Sequence, residues 1–380
     1  MQISGSTVAA WAALVILALA PATRAEAVDA ATVEAARAAA AEVREATPTP
    51  ALSIAVVRGG ELIWAEAYGH ASLELDVPAT SSTRFRLGSV SKVVTASLAA
   101  KLADDGVLDL DAPISRYLTD LPEAHRATTL RQLLGHQGGV RHYAGKDMNP
   151  GAAGGTIDQR EYPDTASMLA IFINDPLVAA PGTKSHYSTF GYTLASAVME
   201  AAAGRPFLQL LEEELAEPLG LSTLEGDVWR LPLENRSAFY DPVPPWMQAS
   251  VPVPVVNAQQ VNSAYKWAGG GLIATPSDLA RFGYAMIRPG YVAAATHRMM
   301  FTPMTTADGE ATNVGLGWRV DRDAAGRQRW HHAGSIVGGR AVLLVYPEHD
   351  LSISLMTNLS QTPSDALAAA EKLAQPFLAR

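Results

Sequence analysis

The sequence predicts an α+β fold, in which an antiparallel sheet is flanked by helices and the chain carries a mainly helical insertion. Two observations support this prediction. Strand-like runs occur near both ends of the 380-residue chain, and the long middle part consists of helical segments broken by loops. Helices and strands that are segregated along a chain, rather than alternating, are typical of α+β proteins.

The first elements follow from local patterns. Residues 28–44 are rich in Ala, Glu and Arg and predict a surface helix, while residues 52–57 and 61–68 predict two strands joined by a Gly-Gly turn. An Ala- and Leu-rich helix is expected to begin at Ser89 and to end near Gly106. Because this helix is apolar on most sides, we expect it to be buried in the middle of the molecule.

The later part of the chain returns to strands after the helical segments. The predicted helices are 165–174, 191–203, 206–215 and 363–378, and the predicted strands are 315–320, 327–332, 340–346 and 351–357. These elements predict a sheet domain of residues 28–106 and 288–380 and a helical domain of residues 107–287. The active site is expected between the two domains.

The segment 242–254 is rich in proline and is not expected to form a regular element. Two interpretations remain open for it. It is either a linker or a wall over a cleft, in which case Trp246 and Met247 would contact substrate.

The composition of the chain argues against several classes of partner and of active site. The net charge of -9 argues against nucleic acid and anionic membrane surfaces as partners. The chain has no cysteine, which excludes disulfides, thiolate catalysis and Cys-ligated zinc. No His or carboxylate set has the spacing of a metal site such as H-E-x-x-H, so neither a metal nor a cofactor is expected.

The N-terminus predicts a secretory signal peptide over residues 1–27. An apolar run over residues 8–20 is followed by Pro21 and by the small-x-small site Ala25-Glu26-Ala27. Cleavage after Ala27 would give a periplasmic or secreted protein with no membrane association. The alternative is an uncleaved membrane tether.

Ser89 and Lys92 stand three residues apart at the start of the Ala/Leu-rich helix. Side chains at i and i+3 share a face of a helix, so the lysine can reach the serine hydroxyl. A desolvated lysine can take the proton of a serine and make it a nucleophile. The alternative is a helix start with a solvated lysine, because S-x-x-K is a short pattern.

A second S-x-x-K match occurs at Ser263 and Lys266. It shows that chance alone can produce the spacing. Its surroundings differ, since Lys266 leads into Trp-Ala-Gly-Gly-Gly, which would end a helix. Of the two matches, Ser89 and Lys92 are therefore the better candidates for a catalytic pair, and the alternative of a helix start with a solvated lysine stays open at this point.

Tyrosine and histidine residues add further candidates. Tyr187 precedes a predicted helix and could act as general acid/base, or it could be a core tyrosine. His331 and His332 are adjacent on a predicted strand and should point to opposite faces, so they cannot both bind one metal. The segments 136–139 and 141–143 could contact substrate or hold a turn beside the cleft.

Three short elements together resemble the serine β-lactamase and penicillin-binding-protein superfamily. They are Ser89-Val90-Ser91-Lys92, Tyr187-Ser188-Thr189 and His332-Ala333-Gly334, in that order along the chain. Flanking strings such as LLGHQGG, YKWAGGGLIATPSDLARF and GLGWRV extend the resemblance over nearly all of the mature chain. The similarity is to the branch of class C β-lactamases, D-aminopeptidases and family VIII carboxylesterases, and several strings resemble the mitochondrial serine β-lactamase-like proteins.

The resemblance implies a β-lactamase/transpeptidase-like fold and a role for each matching residue. It implies Ser89 as nucleophile, Lys92 as its proton acceptor and Tyr187 as general acid/base. It also implies an oxyanion hole from the backbone N–H groups of Ser89 and Ser335. Residues of the third element would bind the substrate main chain, and they are His332, Ala333, Gly334 and Ser335.

Two departures from the family pattern affect the expected activity. The third motif begins with His332, where β-lactamases and penicillin-binding proteins usually have lysine, and a histidine is largely neutral near pH 7. The tyrosine motif ends in Thr189 instead of Asn, which is expected to change recognition of a substrate amide. We therefore expect a peptidase of the β-lactamase-related type rather than an efficient β-lactamase.

Other functions remain open at this point. The same site could serve a carboxylesterase or a weak β-lactamase acting on small molecules. A protein of another class, such as a non-catalytic β-lactam sensor or a self-assembling scaffold, would have no need for Ser89, Lys92 and Tyr187 together. The sequence leaves the substrate and a homo-oligomeric state undetermined.

Overall fold

The computed structural model describes residues 28–152, 154–248, 254–362 and 365–378. The predicted signal peptide and its cleavage site lie outside these residues. In the described part of the chain, no helix is both long enough and apolar enough to cross a membrane. The main feature is a seven-stranded sheet with the order β3-β2-β1-β12-β11-β10-β9, in which neighbouring strands are antiparallel.

The strands outside the main sheet have two or three residues, and within it five strands are long while the edge strands β3 and β9 are short. In chain order they are β1 (Ala51–Arg58), β2 (Glu61–Ser72), β3 (Val77–Pro78), β4 (Phe85–Arg86), β5 (Glu225–Gly226), β6 (Tyr240–Pro242), β7 (Val255–Asn257), β8 (Leu272–Ala274), β9 (Arg319–Arg322), β10 (Gln328–Ile336), β11 (Gly339–Tyr346) and β12 (Leu351–Thr357). A second sheet has the order β4-β8-β5, and β6 pairs with β7.

The helices fall mostly between the two halves of the main sheet. In chain order they are α1 (Ala30–Ala46), α2 (Ser91–Asp104), α3 (Glu123–Arg126), α4 (Leu130–Leu134), α5 (Gly145–Met148), α6 (Thr165–Leu169), α7 (Thr189–Ala203), α8 (Phe207–Leu211), α9 (Trp267–Gly270), α10 (Pro276–Ala285), α11 (Ala294–Met300) and α12 (Ala366–Leu378). This arrangement confirms the predicted α+β class.

Both faces of the main sheet are covered. On one face α1 and α12 pack against alternate residues of the central strands, among them Ile54, Val342 and Ile353. On the other face α10 packs against β1, β11 and β12. Successive residues of a strand point to opposite faces, so the central strands are apolar at almost every position. The first seven residues of β1 are all buried.

Besides the core between the main sheet and helices α1 and α12, the molecule has a second core. The helix α2 lies at the centre of this second core, as its apolar sequence predicts. Every residue from Ser91 to Ala100 is buried, and Leu102 is buried as well. Its N-terminus is fixed by the short strand β4, which pairs with β8. In β4, Arg86 donates from Nε to Asp227 at 2.6 Å, and both side chains are buried. This charged pair joins β4 to the segment after β5.

Several predicted elements have different bounds in the structure. The predicted strand 315–320 is wrong over most of its length, because residues 315–318 form a turn closed by Gly315 N donating to Trp318 O at 2.9 Å. The predicted helix 165–174 ends as an α-helix at Leu169, and its C-terminal residues continue in turns. The strand predicted to end at His332 continues to Ile336 as β10.

The predicted domain division remains a prediction. One helix near its boundary, α10, contacts the main sheet although the division assigns it to the helical part. The Pro-rich segment begins at the end of β6, and its described part reaches Gln248. Trp246 is 80% exposed there, and the choice between a linker and a wall over the cleft stays open.

Candidate active site

Ser89 lies in a single 3₁₀ turn, Gly88–Val90, that connects β4 to α2. The turn requires glycine at position 88 for two reasons. Gly88 has a φ of +50°, and a Cβ atom there would lie 2.8 Å from the backbone nitrogen of Ser335. A side chain at this position would therefore separate the Ser89 turn from β10.

The strand β10 approaches the same turn from the other side. A Cβ atom on Gly334 would lie 2.0 Å from the carbonyl oxygen of Leu87 and 2.9 Å from the backbone nitrogen of Ser89. Two glycines thus let two backbone segments meet without side chains between them. The meeting brings the backbone nitrogens of Ser89 and Ser335 to the same place in the fold.

Lys92 lies one turn into the helical segment after Ser89 and is completely buried. Its Nζ atom is 3.3 Å from Ser89 Oγ and 3.1 Å from Thr189 Oγ1. It also donates to the carbonyl oxygen of Gly269. Burial lowers the pKa of Lys92 well below its ordinary value, because desolvation disfavours the charged ammonium.

Tyr187 is 98 residues away from Ser89 in the chain, and its hydroxyl donates to Ser89 Oγ at 2.6 Å. Lys92 Nζ lies 4.7 Å from the centre of the Tyr187 ring. Burial raises the pKa of Tyr187, while its hydrogen bond to Ser89 and the charge of Arg319 act in the opposite direction. The structure therefore brings Ser89, Lys92 and Tyr187 together.

Two histidines that the sequence left ambiguous hold the Tyr187 turn in place. The backbone N–H of Ser188 donates to His136 Nδ1 at 3.3 Å, and that of Thr189 donates to His142 Nδ1 at 3.2 Å. The His136 and Tyr187 rings lie 4.5 Å apart. Burial lowers the pKa of both histidines, that of His142 to about 4, so both rings are neutral near pH 7.

Thr189 is the first residue of α7, and Ser188 caps that helix by accepting from Gly191 N at 2.9 Å. The cap explains why the helix begins two residues earlier than the apolar pattern predicts. It also turns the Thr189 side chain inward, where its hydroxyl meets Lys92 and its methyl group lies over Gly269.

The two adjacent histidines of β10 point to opposite faces of the sheet, as predicted. His331 Nε2 lies 3.2 Å from Asp321 Oδ2 on the neighbouring strand β9. The His332 ring lies 6.4 Å from that of Tyr187. Burial, and next the charge of Lys92, lower the pKa of His332 to about 3, so the residue at this position is uncharged at neutral pH.

Ala333 and Ser335 are exposed, whereas His332 and Gly334 are buried. The alternation follows from strand geometry. Ser335 Oγ donates to the carbonyl oxygen of Ser360 at 3.3 Å, on the face away from the Ser89 turn. Any contribution of Ser335 to chemistry at Ser89 would therefore come from its backbone N–H.

One participant was not found from the sequence, namely the carbonyl of Gly269. A Cβ atom at Gly269 would lie 2.7 Å from Thr189 Cγ2, so glycine is needed for α9 to pack this close. The run of three glycines at 269–271 was a usable signal, because glycine often marks a close approach of backbone to another group. In the described residues no group of three or more His, Cys, Asp or Glu side chains could hold a metal ion.

The second S-x-x-K match has a different environment. Ser263 is buried, and its Oγ atom has no hydrogen-bond partner among the described residues. Lys266 is half-buried, and its ammonium group lies 5.2 Å from the centre of the Tyr265 ring. The two side chains are not hydrogen-bonded to each other within the described part of the chain.

The comparison with models of protein families identifies the family over nearly the whole chain. The β-lactamase family model matches residues 36–376. The chain belongs to the β-lactamase family. The predicted resemblance to this superfamily is therefore confirmed.

Relatives at the sequence level include different kinds of protein. The human serine β-lactamase-like protein LACTB, mitochondrial, is 27% identical over 392 residues, covering 80% of this chain and 70% of the relative. Esterase EstB of Burkholderia gladioli is 28% identical over 343 residues, covering 80% and 84%. D-aminopeptidases and a penicillin-binding protein are also similar.

A solved structure of the same fold is the D-stereospecific amidohydrolase from a Streptomyces species. It superimposes with a TM-score of 0.72 at 23% identity, covering 92% of this chain and 98% of the other. The sequence relatives of this β-lactamase-family chain thus include an esterase and D-aminopeptidases, and the amidohydrolase shares its fold.

Proposed function

We propose that this chain is a serine hydrolase that works through an acyl-enzyme intermediate, with Ser89 as nucleophile. The observation that carries the proposal is the contact of Ser89 Oγ with two groups that can move its proton. Lys92 Nζ lies at 3.3 Å and the Tyr187 hydroxyl at 2.6 Å. A serine becomes a nucleophile when a positioned neighbour accepts its proton.

The hydrogen-bond capacity of Lys92 fits a neutral amine. A neutral amine has two N–H donors and one lone pair. The donors are accounted for by the Gly269 carbonyl and the Thr189 hydroxyl, and the lone pair then faces Ser89. Because burial favours this neutral form, Lys92 can accept the Ser89 proton when the hydroxyl attacks a carbonyl carbon.

Tyr187 completes the proton path. Its raised pKa keeps the phenol protonated near neutral pH, so it donates to Ser89 Oγ while the Ser89 hydroxyl donates to Lys92. After attack, the phenol can give its proton to the departing group and recover one through Lys92. Water then releases the acyl group by the same path in reverse.

The backbone N–H groups of Ser89 and Ser335 are proposed to stabilise the oxyanion. The approach of the Ser89 turn to β10 supports this role, because Gly88 and Gly334 remove the side chains that would keep the segments apart. Backbone donors fixed in this way stabilise developing negative charge without rearrangement. The exposed backbone at Ala333 would bind the substrate main chain next to His332.

The substrate is proposed to be a peptide or an ester, with peptides preferred. The uncharged His332, where β-lactamases and penicillin-binding proteins usually carry lysine, weighs against efficient β-lactam hydrolysis. The similarity to an esterase at 28% identity favours a carboxylesterase as the second candidate. Both activities use the same acyl-enzyme chemistry.

The first experiment compares initial rates of the mature protein on four substrates. These are a short-chain nitrophenyl ester, a chromogenic cephalosporin, a D-Ala-D-Ala peptide and a library of L-peptides, each with a Ser89→Ala control. Ser89-dependent peptide cleavage with little cephalosporin turnover is the expected result. Dominant cephalosporin turnover would instead make the chain a β-lactamase.

Labelling with a fluorophosphonate separates the enzyme from a non-catalytic scaffold. We expect mass spectrometry to find the label on Ser89. If the native protein neither reacts with the probe nor turns over any substrate of the panel, the serine hydrolase proposal is wrong and a sensor or scaffold is favoured.

We also propose that the enzyme is exported, because residues 1–27 have the pattern of a signal peptide. A periplasmic or secreted location can be tested by fractionation and by N-terminal sequencing of the mature protein. A homo-oligomer stays part of the proposal, since a structurally similar penicillin-binding-protein homologue from Pyrococcus abyssi is octameric.

A further inference from the structure

Lys266 lies beside the Ser89 turn but takes no part in the proton path. Its Cδ atom lies 3.8 Å from the point that a Cβ atom on Gly270 would occupy, and the carbonyl oxygen of Gly88 lies 3.8 Å from the same point. Gly270 has no side chain, so the aliphatic part of Lys266 and the Gly88 carbonyl border the same small space beside Gly270. Lys266 therefore lies along the wall that α9 contributes to the site.

The Lys266 side chain is charged at neutral pH. Burial, and next the charge of Arg86, lower the pKa of Lys266 to about 8, while Asp158 and Asp227 act in the opposite direction. Asp227 already accepts a hydrogen bond of 2.6 Å from Arg86 Nε. Burial lowers the pKa of Lys92 well below its ordinary value, and His332, with a pKa of about 3, is neutral under the same conditions. Lys266 therefore supplies positive charge that His332 does not, and Lys92 acts as a base in the proposed mechanism.

The ammonium group of Lys266 has no hydrogen bond or ion pair within residues 28–152, 154–248, 254–362 and 365–378. Its one close contact there is the Tyr265 ring at 5.2 Å. Its Nζ atom is not among the fully buried unpartnered polar atoms of the described residues, so a ligand can reach it, and partial burial removes part of the hydration of this cation. An anionic group of a bound ligand would restore it through a charge-assisted hydrogen bond.

We infer that Lys266 forms an anion-binding subsite next to Ser89, which selects substrates that carry a carboxylate on the acyl part. This inference rests on the proposed serine hydrolase function. In that mechanism the leaving group takes its proton from Tyr187 and so lies on the Tyr187 side. Lys266 borders instead the space beside Gly270 and the Gly88 carbonyl, and the inference places the carboxylate on the acyl side of the scissile bond.

The test uses two nitrophenyl esters with the same number of acyl carbons. One is 4-nitrophenyl hexanoate, and the other is the mono-4-nitrophenyl ester of adipic acid, whose acyl chain ends in a carboxylate. The wild type should have the higher kcat/KM for the adipate ester after subtraction of the rate with Ser89→Ala. The ratio of the two values should fall about tenfold or more in Lys266→Met, as for loss of a charge-assisted hydrogen bond, and recover in Lys266→Arg.

Two charge-matched variants serve as controls. Lys372→Met removes a lysine on the remote helix α12, and Arg319→Met removes the cation whose charge acts on Tyr187 and His332. The ratio should stay near the wild-type value in Lys372→Met and change less in Arg319→Met than in Lys266→Met. A ratio that survives in Lys266→Met, or that collapses only in Arg319→Met, overturns the inference.

A binding measurement separates this inference from the hydrolase proposal. Calorimetry on Ser89→Ala requires no turnover, and it compares uncharged hexanamide with adipamate, the monoamide of adipic acid that keeps one carboxylate. Tighter binding of adipamate that is lost in Ser89→Ala/Lys266→Met supports the subsite even if no ester is hydrolysed. Equal binding of the two amides overturns the subsite, and Ser89-dependent hydrolysis of 4-nitrophenyl hexanoate would at the same time leave the serine hydrolase proposal intact.

Discussion

Two segments of this chain carry the same S-x-x-K spacing, and they have different chemical environments. At Ser89 the serine hydroxyl lies 3.3 Å from the ammonium nitrogen of a fully buried lysine, and burial lowers the pKa of this lysine well below its ordinary value. At Ser263 the serine is buried without a partner, and Lys266 lies half-exposed as a cation. The spacing brings a lysine into reach of a serine, but burial and partners decide what the lysine does.

The largest expected difference between the segments concerns the two serines. Ser89→Ala should lower kcat/KM on the best substrate by about 10⁴-fold or more, because it removes the nucleophile. Ser263→Ala is the matched control. It should change kcat/KM less than about threefold, because the Ser263 hydroxyl has no hydrogen-bond partner to lose. Steady-state kinetics with both variants measure the difference.

A comparable loss in the two serine variants would contradict this assignment. Circular dichroism and thermal denaturation would first show that both proteins are folded. Fluorophosphonate labelling then gives a second readout, because Ser263→Ala should react as the wild type does and Ser89→Ala should not.

The lysines provide the next largest contrast. Lys92→Met should lower kcat/KM for 4-nitrophenyl hexanoate by about 10²–10⁴-fold, the usual contribution of a positioned general base. Lys92→Arg should not restore the rate, because a guanidinium cannot lose its proton to act as a base. Lys266→Met should have a much smaller effect on this uncharged ester. Equal losses in Lys92→Met and Lys266→Met would show that the segments do not differ as proposed.

The sequence was sufficient for the local parts of this contrast. The glycine before Ser89 and the long apolar helix after it predicted a buried helix start, and the glycines after Lys266 predicted a helix end. The central strands of the main sheet were also predictable, because their apolar runs are covered on both faces, whereas the edge strands β3 and β9 were not. These features depend on residues that are neighbours in the chain.

The remaining features depend on contacts between distant residues. Tyr187 reaches Ser89 across 98 residues, and the Gly269 carbonyl reaches Lys92 across 177. Neither contact has a local pattern, and only the family resemblance could assign Tyr187. The turn at residues 315–318 was mistaken for strand because its apolar residues pack into the core as those of a strand would.

The third comparison concerns the stability of the fold when Gly334 on β10 or Gly270 on α9 is replaced. Gly334→Ala should lower the free energy of unfolding by about 1–3 kcal/mol or more, the usual cost of overpacking. Its Cβ atom would lie 2.0 Å from the Leu87 carbonyl oxygen, and backbone cannot move aside easily. Gly270→Ala should cost less, because its nearest contact is an ordinary 3.7 Å. Denaturant unfolding of both variants measures the difference, and a larger loss in Gly270→Ala would show that the Ser89 turn does not pack on β10 as described.

The smallest effect, and the one that separates the two lysines most directly, is in the pH dependence. Lys92 must be neutral to accept a proton, so kcat/KM for both esters should rise as pH increases through its lowered pKa. Lys266 must be charged to bind a carboxylate. The preference for the adipate ester should therefore be full below pH 7 and be lost as pH rises through about 8, where Lys266 loses its proton.

The charged groups near Lys266 determine the pH at which the preference for the adipate ester is lost. Asp158 and Asp227 favour its charged form, whereas Arg86 and Lys92 disfavour it, and the adipate carboxylate stays ionised throughout. Lys266→Arg should keep the preference to higher pH, because arginine remains protonated. The measurement is the kcat/KM ratio of the two esters from pH 6.5 to 9.5, corrected with Ser89→Ala. A ratio that is constant in the wild type would mean that the charge of Lys266 is not what recognises the acyl carboxylate.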